Sequence, residues 1–461
     1  MSDLESFFNP KGVAVIGASA TSGRPGYTVI ENMVANGYSG PICPVNPRGG
    51  KILGYRVYRS ILELPDGIDM GIVLLPASAA PQVLKDCASK GIKTVVLAAG
   101  GFAEVDLEGQ NLQIELERII ENTGIRVLGP NTAGHISTSA NFTSSFFPLG
   151  KIPEGTVSFV AQTGNFTGAM MRSIISGEHY GVARCVGLGN AIDIDECDIL
   201  EYLAQDPETK TVLMYLESLA RPKKFLGLAK AVTREKPLII LKGGSTDAGA
   251  RAAQSHTASL SSNDNVLDGA FAQAGVVRLN EFSELFLASK AAAFMPVPKG
   301  PRVGFVSPSG AFIVHISDMC KRHTILKFPE PSSKTYNRLK DISPPFIRVS
   351  NPTDVFPSAT VYGMEFAWRE AMRALLQDPR VDSLVTILIL AEELGPMSLE
   401  FIPELAAEFP DKPIYVSYSG DENSNRVATN FLEPLGIPTF PRIEDPFKAL
   451  NIMAKTRLSL K

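Results

Sequence analysis

The sequence predicts an α/β protein: an N-terminal Rossmann-like domain followed by two related flavodoxin-like domains. Three observations predict it. Short apolar runs of strand type alternate with amphipathic stretches of helical length along all 461 residues, the pattern of parallel sheets covered by helices on both faces. Each strand candidate ends in a Gly, Pro or Asn turn. The last two segments of the chain are, moreover, imperfect but collinear copies of one another.

In the first segment, residues 1–145, the expected strands are 13–16, 42–45, 70–75, 94–98 and 126–128, enough for a complete doubly wound domain. A second unit, 150–295, opens with TVSFVAQTG. A third, 300–461, opens with RVGFVSPSG after the Pro-rich stretch PVPKGP. VSFVAQTGNFTGAM in one copy answers VGFVSPSGAFIVHI in the other, and KPLIILKGG answers KPIYVSYSG. The third unit keeps a strand-turn-helix start at Ser307-Pro308-Ser309-Gly310 but has no catalytic-looking histidine, which reads as scaffold or interface. Its amphipathic stretch 365–376 holds the single tryptophan, Trp368, as a core residue.

Composition excludes several function classes. A formal net charge of -4, with Lys and Arg scattered, leaves no nucleic-acid footprint. The longest apolar runs, such as 385–391, fall far short of the ~20 residues of a membrane crossing, and the N-terminus MSDLESFFNP carries no basic region followed by an apolar core. A cytoplasmic protein is expected. The five cysteines are odd in number and form no C-x-x-C pair, so neither a disulfide framework nor a metal site is expected.

Five places carry chemistry. The first βα turn sets Gly17, Gly23 and Gly26 between a buried strand and a helix, where backbone N–H groups and the helix dipole can hold phosphate oxygens. The second strand ends in Asn46-Pro47-Arg48, where a nicotinamide-cofactor enzyme usually has an acid on the ribose; Arg48 or Lys51 suits a phosphorylated ribose instead. The two copies differ after KPLIILKGG: Gly244 to Gly275 in one corresponds to only Gly420 to Gly436 in the other, the excess being a Gly/Ala/Ser-rich loop. Its imidazole, His256, has no apolar face to pack, which leaves a phosphoryl nucleophile or a plain surface residue. The other histidines, His135, His179, His315 and His323, read as core or surface residues. Thr163-Gly164-Asn165 ends a strand and opens a helix, a cradle for an anion. Glu217 ends the strand 211–216 at the same sheet edge, either as an exposed charge or as an acceptor for the unreacted imidazole N–H.

Over nearly its whole length the chain resembles the α subunits of ADP-forming acetyl-CoA synthetases, relatives of succinyl-CoA synthetase. The carrying segments are VIGASATSG, PVNPRGGKILGYRVYRSI, LGPNTAG, AQTGNFTGAM, GLGNAIDIDECDILEYLAQDPETKTVLMYLE and KPLIILKGG followed by ARAAQSHTASL. Thr163 stands where that family usually has serine, and Ala258 where it has glycine. The resemblance implies a coenzyme A site lined by Gly17, Ser19, Arg48 or Lys51, Pro76 and the Ala99-Gly100 turn. It implies phosphorylation at His256, with Glu217 as its carboxylate partner and Thr163, Gly164 and Asn165 as its phosphate cradle. Acyl-CoA and phosphate would interconvert with acyl phosphate and CoA; acyl phosphate would phosphorylate His256; phosphohistidine would convert ADP to ATP. No nucleotide-binding segment is visible in the chain, so the resemblance implies a hetero-oligomer with a separate ATP-grasp β subunit carrying ATP/ADP and Mg²⁺. A small carboxylic acid is the expected substrate. Two competing readings are a non-catalytic coenzyme-A-binding regulatory or assembly protein of the same fold and a dinucleotide oxidoreductase, against which Asn46 argues.

Overall fold

The computed structural model describes residues 4–164, 166–249, 251, 264–391 and 397–458. The chain forms two compact units, one ending at Asn280 and the other beginning at Glu281.

The first unit contains two sheets. Strands β1 (Val13–Ile16), β2 (Ile42–Val45), β3 (Met70–Val73), β4 (Thr94–Leu97) and β5 (Arg126–Leu128) pair in parallel in the order β2-β1-β3-β4-β5. β1 to β4 are buried at every position, which is why they read as unbroken apolar runs. Beyond β2 the sheet continues through a single parallel bridge between Val45 and Tyr58, in which Tyr58 N–H donates to Pro44 O at 2.8 Å and Asn46 N–H to Tyr58 O at 2.9 Å. With that bridge the order is that of a Rossmann sheet, and its switch point lies between β1 and β3.

The second sheet is built from β6 (His135–Ser137), β7 (Phe142–Thr143), β8 (Glu154–Ala161), β9 (Val182–Gly187), β10 (Thr211–Leu216), β11 (Leu238–Lys242) and β12 (Val277–Leu279), in the order β12-β11-β10-β8-β9-β6-β7. Its five later strands are parallel and follow the flavodoxin order. The β6–β7 hairpin lies within the expected first segment but pairs antiparallel with β9. His135 fixes it there. Its Nε2 lies 2.6 Å from Phe7 O, its Nδ1 2.8 Å from Ser144 Oγ, and its ring packs among Phe7, Phe8 and Phe142. Burial pushes this imidazole down to about 4, so it is a neutral core group.

The second unit has one five-stranded parallel sheet of β13 (Val303–Ser307), β14 (Thr353–Asp354), β15 (Ser383–Leu390), β16 (Ile414–Gly420) and β17 (Thr439–Phe440), ordered β14-β13-β15-β16-β17. This is the topology of the parallel part of the second sheet, as the collinear repeat requires. Trp368 is fully buried and its indole N–H donates to Ile387 O at 3.1 Å. The helix Phe282–Phe294 belongs to this unit, where Lys290 Nζ donates to Glu433 Oε1 at 2.7 Å and to Thr439 O at 3.0 Å. Among the described residues, no helix is long and apolar enough to cross a membrane.

Candidate functional site

In α/β sheets ligands bind beyond the carboxyl ends of the strands, so the site is built from the turns at those ends. After β1 the chain turns at Gly17, with φ +89°, and the Gly17 N–H donates to Val45 O at 3.1 Å. The helix Pro25–Asn36 follows, with Pro25 in its first turn. Gly26 lets it come close: a Cβ there would lie 2.5 Å from Gly17 O and 2.8 Å from Ala18 Cα. Ser19 Oγ accepts from Thr21 N–H at 3.1 Å within the turn. Asn46, at the position of the usual ribose acid, is occupied otherwise: its Nδ2 donates to Ala18 O at 2.9 Å and its Oδ1 accepts from Arg48 N–H at 3.0 Å. Arg48 and Lys51 are exposed beyond β2. Pro76 precedes the short 3₁₀ turn Ala77–Ala79 after β3, and the Ala99-Gly100 turn follows β4. All the residues expected around coenzyme A therefore lie at one edge of the first sheet.

Thr163, Gly164 and Glu217 lie at the corresponding edge of the second sheet. Gln162 ties them together: its Oε1 accepts from Glu217 N–H at 2.6 Å and from Ser218 N–H at 2.9 Å, and its Nε2 donates to Ser218 O at 3.1 Å. Tyr215 Oη donates to Glu217 Oε1 at 3.1 Å. Lys242, at the end of β11, is buried and donates from Nζ to the carbonyls of Glu217, at 2.7 Å, and Gly243. Burial lowers the pKa of this ammonium group. Gly243 crosses close to Tyr215, where a Cβ would lie 3.0 Å from its hydroxyl. His256 and Asn165 lie outside the described residues. The described chain leaves β11 beside Glu217, is helical at residues 247–249 and 251, and is helical again from Asp264.

The two edges meet in a cleft of about 160 Å³ lined by Ala98, Asn131, Thr132 and Ala133 on one side and Gln162, Thr163, Gly164, Gly189 and Asn190 on the other, with Phe146 and Phe147 as its apolar wall. Bare backbone makes the junction possible. Gly189, with φ +63°, sits so close to the 130–131 turn that a Cβ would lie 2.1 Å from Pro130 O. Asn190 N–H donates to Pro130 O at 2.8 Å, and Asn131 N–H to Ala99 O at 2.8 Å. Glu104 closes the network, accepting from Gly101 N–H at 2.8 Å and from Asn190 Nδ2 at 2.7 Å. The sequence had pointed to neither Gln162 nor Lys242, nor to the group Glu104, Asn131 and Asn190. The available signal was a polar residue directly after a strand-ending glycine or proline, as in LGPN and GLGN.

Residues 11–137 match the family described as CoA binding domain, and residues 154–292 the family described as succinyl-CoA ligase like flavodoxin domain. The chain is 35% identical to the α subunit of acetate–CoA ligase (ADP-forming) I of Pyrococcus furiosus, over 98% of this chain and 97% of that one. The chain belongs to the ADP-forming acetate–CoA ligase family. It is also 37% identical to acetate–CoA ligase (ADP-forming) II of Archaeoglobus fulgidus, covering 98% of this chain but only 66% of that longer member of the family. Among solved structures, the dinucleotide forming acetyl-coenzyme A synthetase 1 of Ca. Korarchaeum cryptofilum, in complex with phosphate and ADP, superposes with a TM-score of 0.90 at 29% identity, covering 100% of this chain and 98% of that one. The coenzyme-A-binding match thus holds all of the first sheet, and the flavodoxin-like match the five parallel strands of the second.

Proposed function

We propose that this chain is the coenzyme-A-binding, phosphate-carrying part of an ADP-forming acyl-CoA ligase. The observation that carries the reading is the convergence, on one cleft, of Ala98 and the Asn131–Ala133 turn from the coenzyme-A-type sheet and the Thr163-Gly164 turn of the second, with Glu217 held by Gln162 alongside. Gly17, Ser19, Arg48 or Lys51, Pro76 and the Ala99-Gly100 turn hold coenzyme A. Thr163, Gly164 and Asn165 cradle phosphate, donating backbone N–H groups and a hydroxyl to its oxygens. Phosphate attacks the thioester carbonyl of a small acyl-CoA, giving acyl phosphate and free thiol. His256, its tautomer fixed by Glu217, displaces the carboxylate from that phosphoryl group and passes the phosphoryl to ADP. All steps reverse for synthesis.

The nucleotide step falls to an ATP-grasp module with ATP/ADP and Mg²⁺ on a partner β subunit, so the working enzyme is a hetero-oligomer. The near-complete match to a relative named as an α subunit supports a separate partner; the longer Archaeoglobus fulgidus relative shows that extra length also occurs within one chain. The test is to purify the chain with an ATP-grasp partner, incubate it with labelled ATP, and map the label. An acid-labile, base-stable label on His256, abolished in His256→Asn with coenzyme A binding intact, supports the reading. Acyl-CoA formation with no label on His256 overturns it.

A further inference from the structure

Gln162 is a neutral side chain, 7% exposed, that joins the 163–164 turn to the 215–218 segment. Its own N–H donates to Tyr215 O at 3.0 Å, while its side-chain amide accepts from Glu217 N–H and Ser218 N–H and donates to Ser218 O. Directly after it come Thr163 and Gly164, the lining of the cleft. The loop that starts at Glu217 is anchored at its far end as well: Ala220 N–H donates to Glu196 Oε1 at 2.8 Å, and Arg221 grips Asp195 with two guanidinium nitrogens. An amide is the one side chain of this size that can both accept two adjacent N–H groups and donate to a carbonyl. A peptide-like clamp of that kind sets the direction in which the Glu217 carboxylate leaves the strand, and ties that direction to the turn beside it.

We infer that Gln162 is a positioning residue for phosphoryl transfer, which acts through Glu217 by coupling the place of its carboxylate to the Thr163-Gly164 turn. This rests on the reading that Glu217 serves the phosphohistidine. Its signature is non-additivity, because a residue that acts only through Glu217 has nothing left to do once Glu217 is disabled.

The experiment is a double-mutant cycle on the full enzyme with its partner, reading the rate of His256 phosphorylation from acetyl phosphate. Gln162→Met removes the amide at similar volume, and Gln162→Glu restores the acceptor oxygens. In the wild-type background Gln162→Met is expected to slow phosphorylation about 100-fold, with Gln162→Glu recovering at least tenfold and the coenzyme A Kd unchanged. In a Glu217→Gln background the same substitution is expected to cost no more than about threefold. An equal loss in both backgrounds, or no loss in the wild type, overturns the coupling. Glu217→Gln with an undiminished rate is the separate result that overturns the underlying reading of Glu217, and with it the coupling.

Discussion

Asn190 donates from Nδ2 to Glu104 Oε2 at 2.7 Å, so a turn that ends a strand of the second sheet holds a carboxylate from the first. Burial alone would raise the Glu104 pKa, but the Gly101 N–H and the Asn190 amide, among other donors, bring it below its ordinary 4.5. A carboxyl with a lowered folded-state pKa contributes stability above its unfolded pKa and loses it as the pH falls through the folded value. Asn190→Leu is therefore expected to lower stability by about 1–2 kcal/mol at pH 7. The gap from wild type should narrow once the pH is low enough to protonate Glu104, below its ordinary 4.5. Urea unfolding at pH 7 and at that lower pH checks it, and a gap that stays constant would show that the Glu104 charge is irrelevant.

The buried His135 makes an independent pH prediction. Its pKa is lowered from 6.5 to about 4 by burial, against the pull of Phe7 O. Between those two values the unfolded chain binds a proton that the folded chain does not, so stability is lost on acidification through that window. The full effect is about 3 kcal/mol. His135→Gln is expected to start less stable at pH 7 and to lose stability less steeply between pH 6.5 and 4. The same slope in both proteins would assign the acid sensitivity to other groups.

His135 also shows where the sequence was legible and where it was not. Strands buried on both faces leave unbroken apolar runs, and a duplicated topology leaves a collinear repeat, so the sheets could be read directly. The β6–β7 hairpin is set instead by contacts of His135 with Phe7 and Phe8, far away in the chain, and no local periodicity records them. Lys290 and Glu433, which no local pattern singles out, form a buried pair that attaches the helix Phe282–Phe294 to the second unit. At the site, glycine turns announced themselves through composition. Gln162, Lys242 and Asn190 did not, because their role lies in hydrogen bonds to the backbone of other turns, which residue type alone does not encode.

Gly26 tests the first edge of the site. An alanine Cβ would lie 2.5 Å from Gly17 O and 2.8 Å from Ala18 Cα, so the helix must move away from the turn it is meant to complete. Gly26→Ala is expected to destabilise by about 1–3 kcal/mol and to weaken coenzyme A binding at least tenfold. Gly227 supplies the control: it lies in the helix Pro222–Val232 with nothing within 4 Å of an added Cβ, and Gly227→Ala should stabilise by up to about 1 kcal/mol. Calorimetric titration of coenzyme A separates the two effects. Unchanged affinity in Gly26→Ala would remove the first βα turn from the cofactor site.

Lys242 tests the second edge. Its ammonium group donates to the carbonyls of Glu217 and Gly243, the points where β10 and β11 release the chain towards the site. Lys242→Met preserves the side-chain length but leaves two carbonyls without their donor, each at a cost of about 1–3 kcal/mol if it stays dry. The cheaper response is for the two strand ends to turn towards water, which carries the Glu217 carboxylate away from the 163–164 turn. Phosphoenzyme formation should fall about 10- to 100-fold, since displacing a reacting partner by an ångström costs that much. Coenzyme A affinity should stay within a factor of about two, because Lys242 touches only the second sheet. Parallel measurement of labelled phosphoenzyme and of coenzyme A binding separates these outcomes. Equal losses in both would mean that Lys242 supports the unit as a whole rather than the place of Glu217.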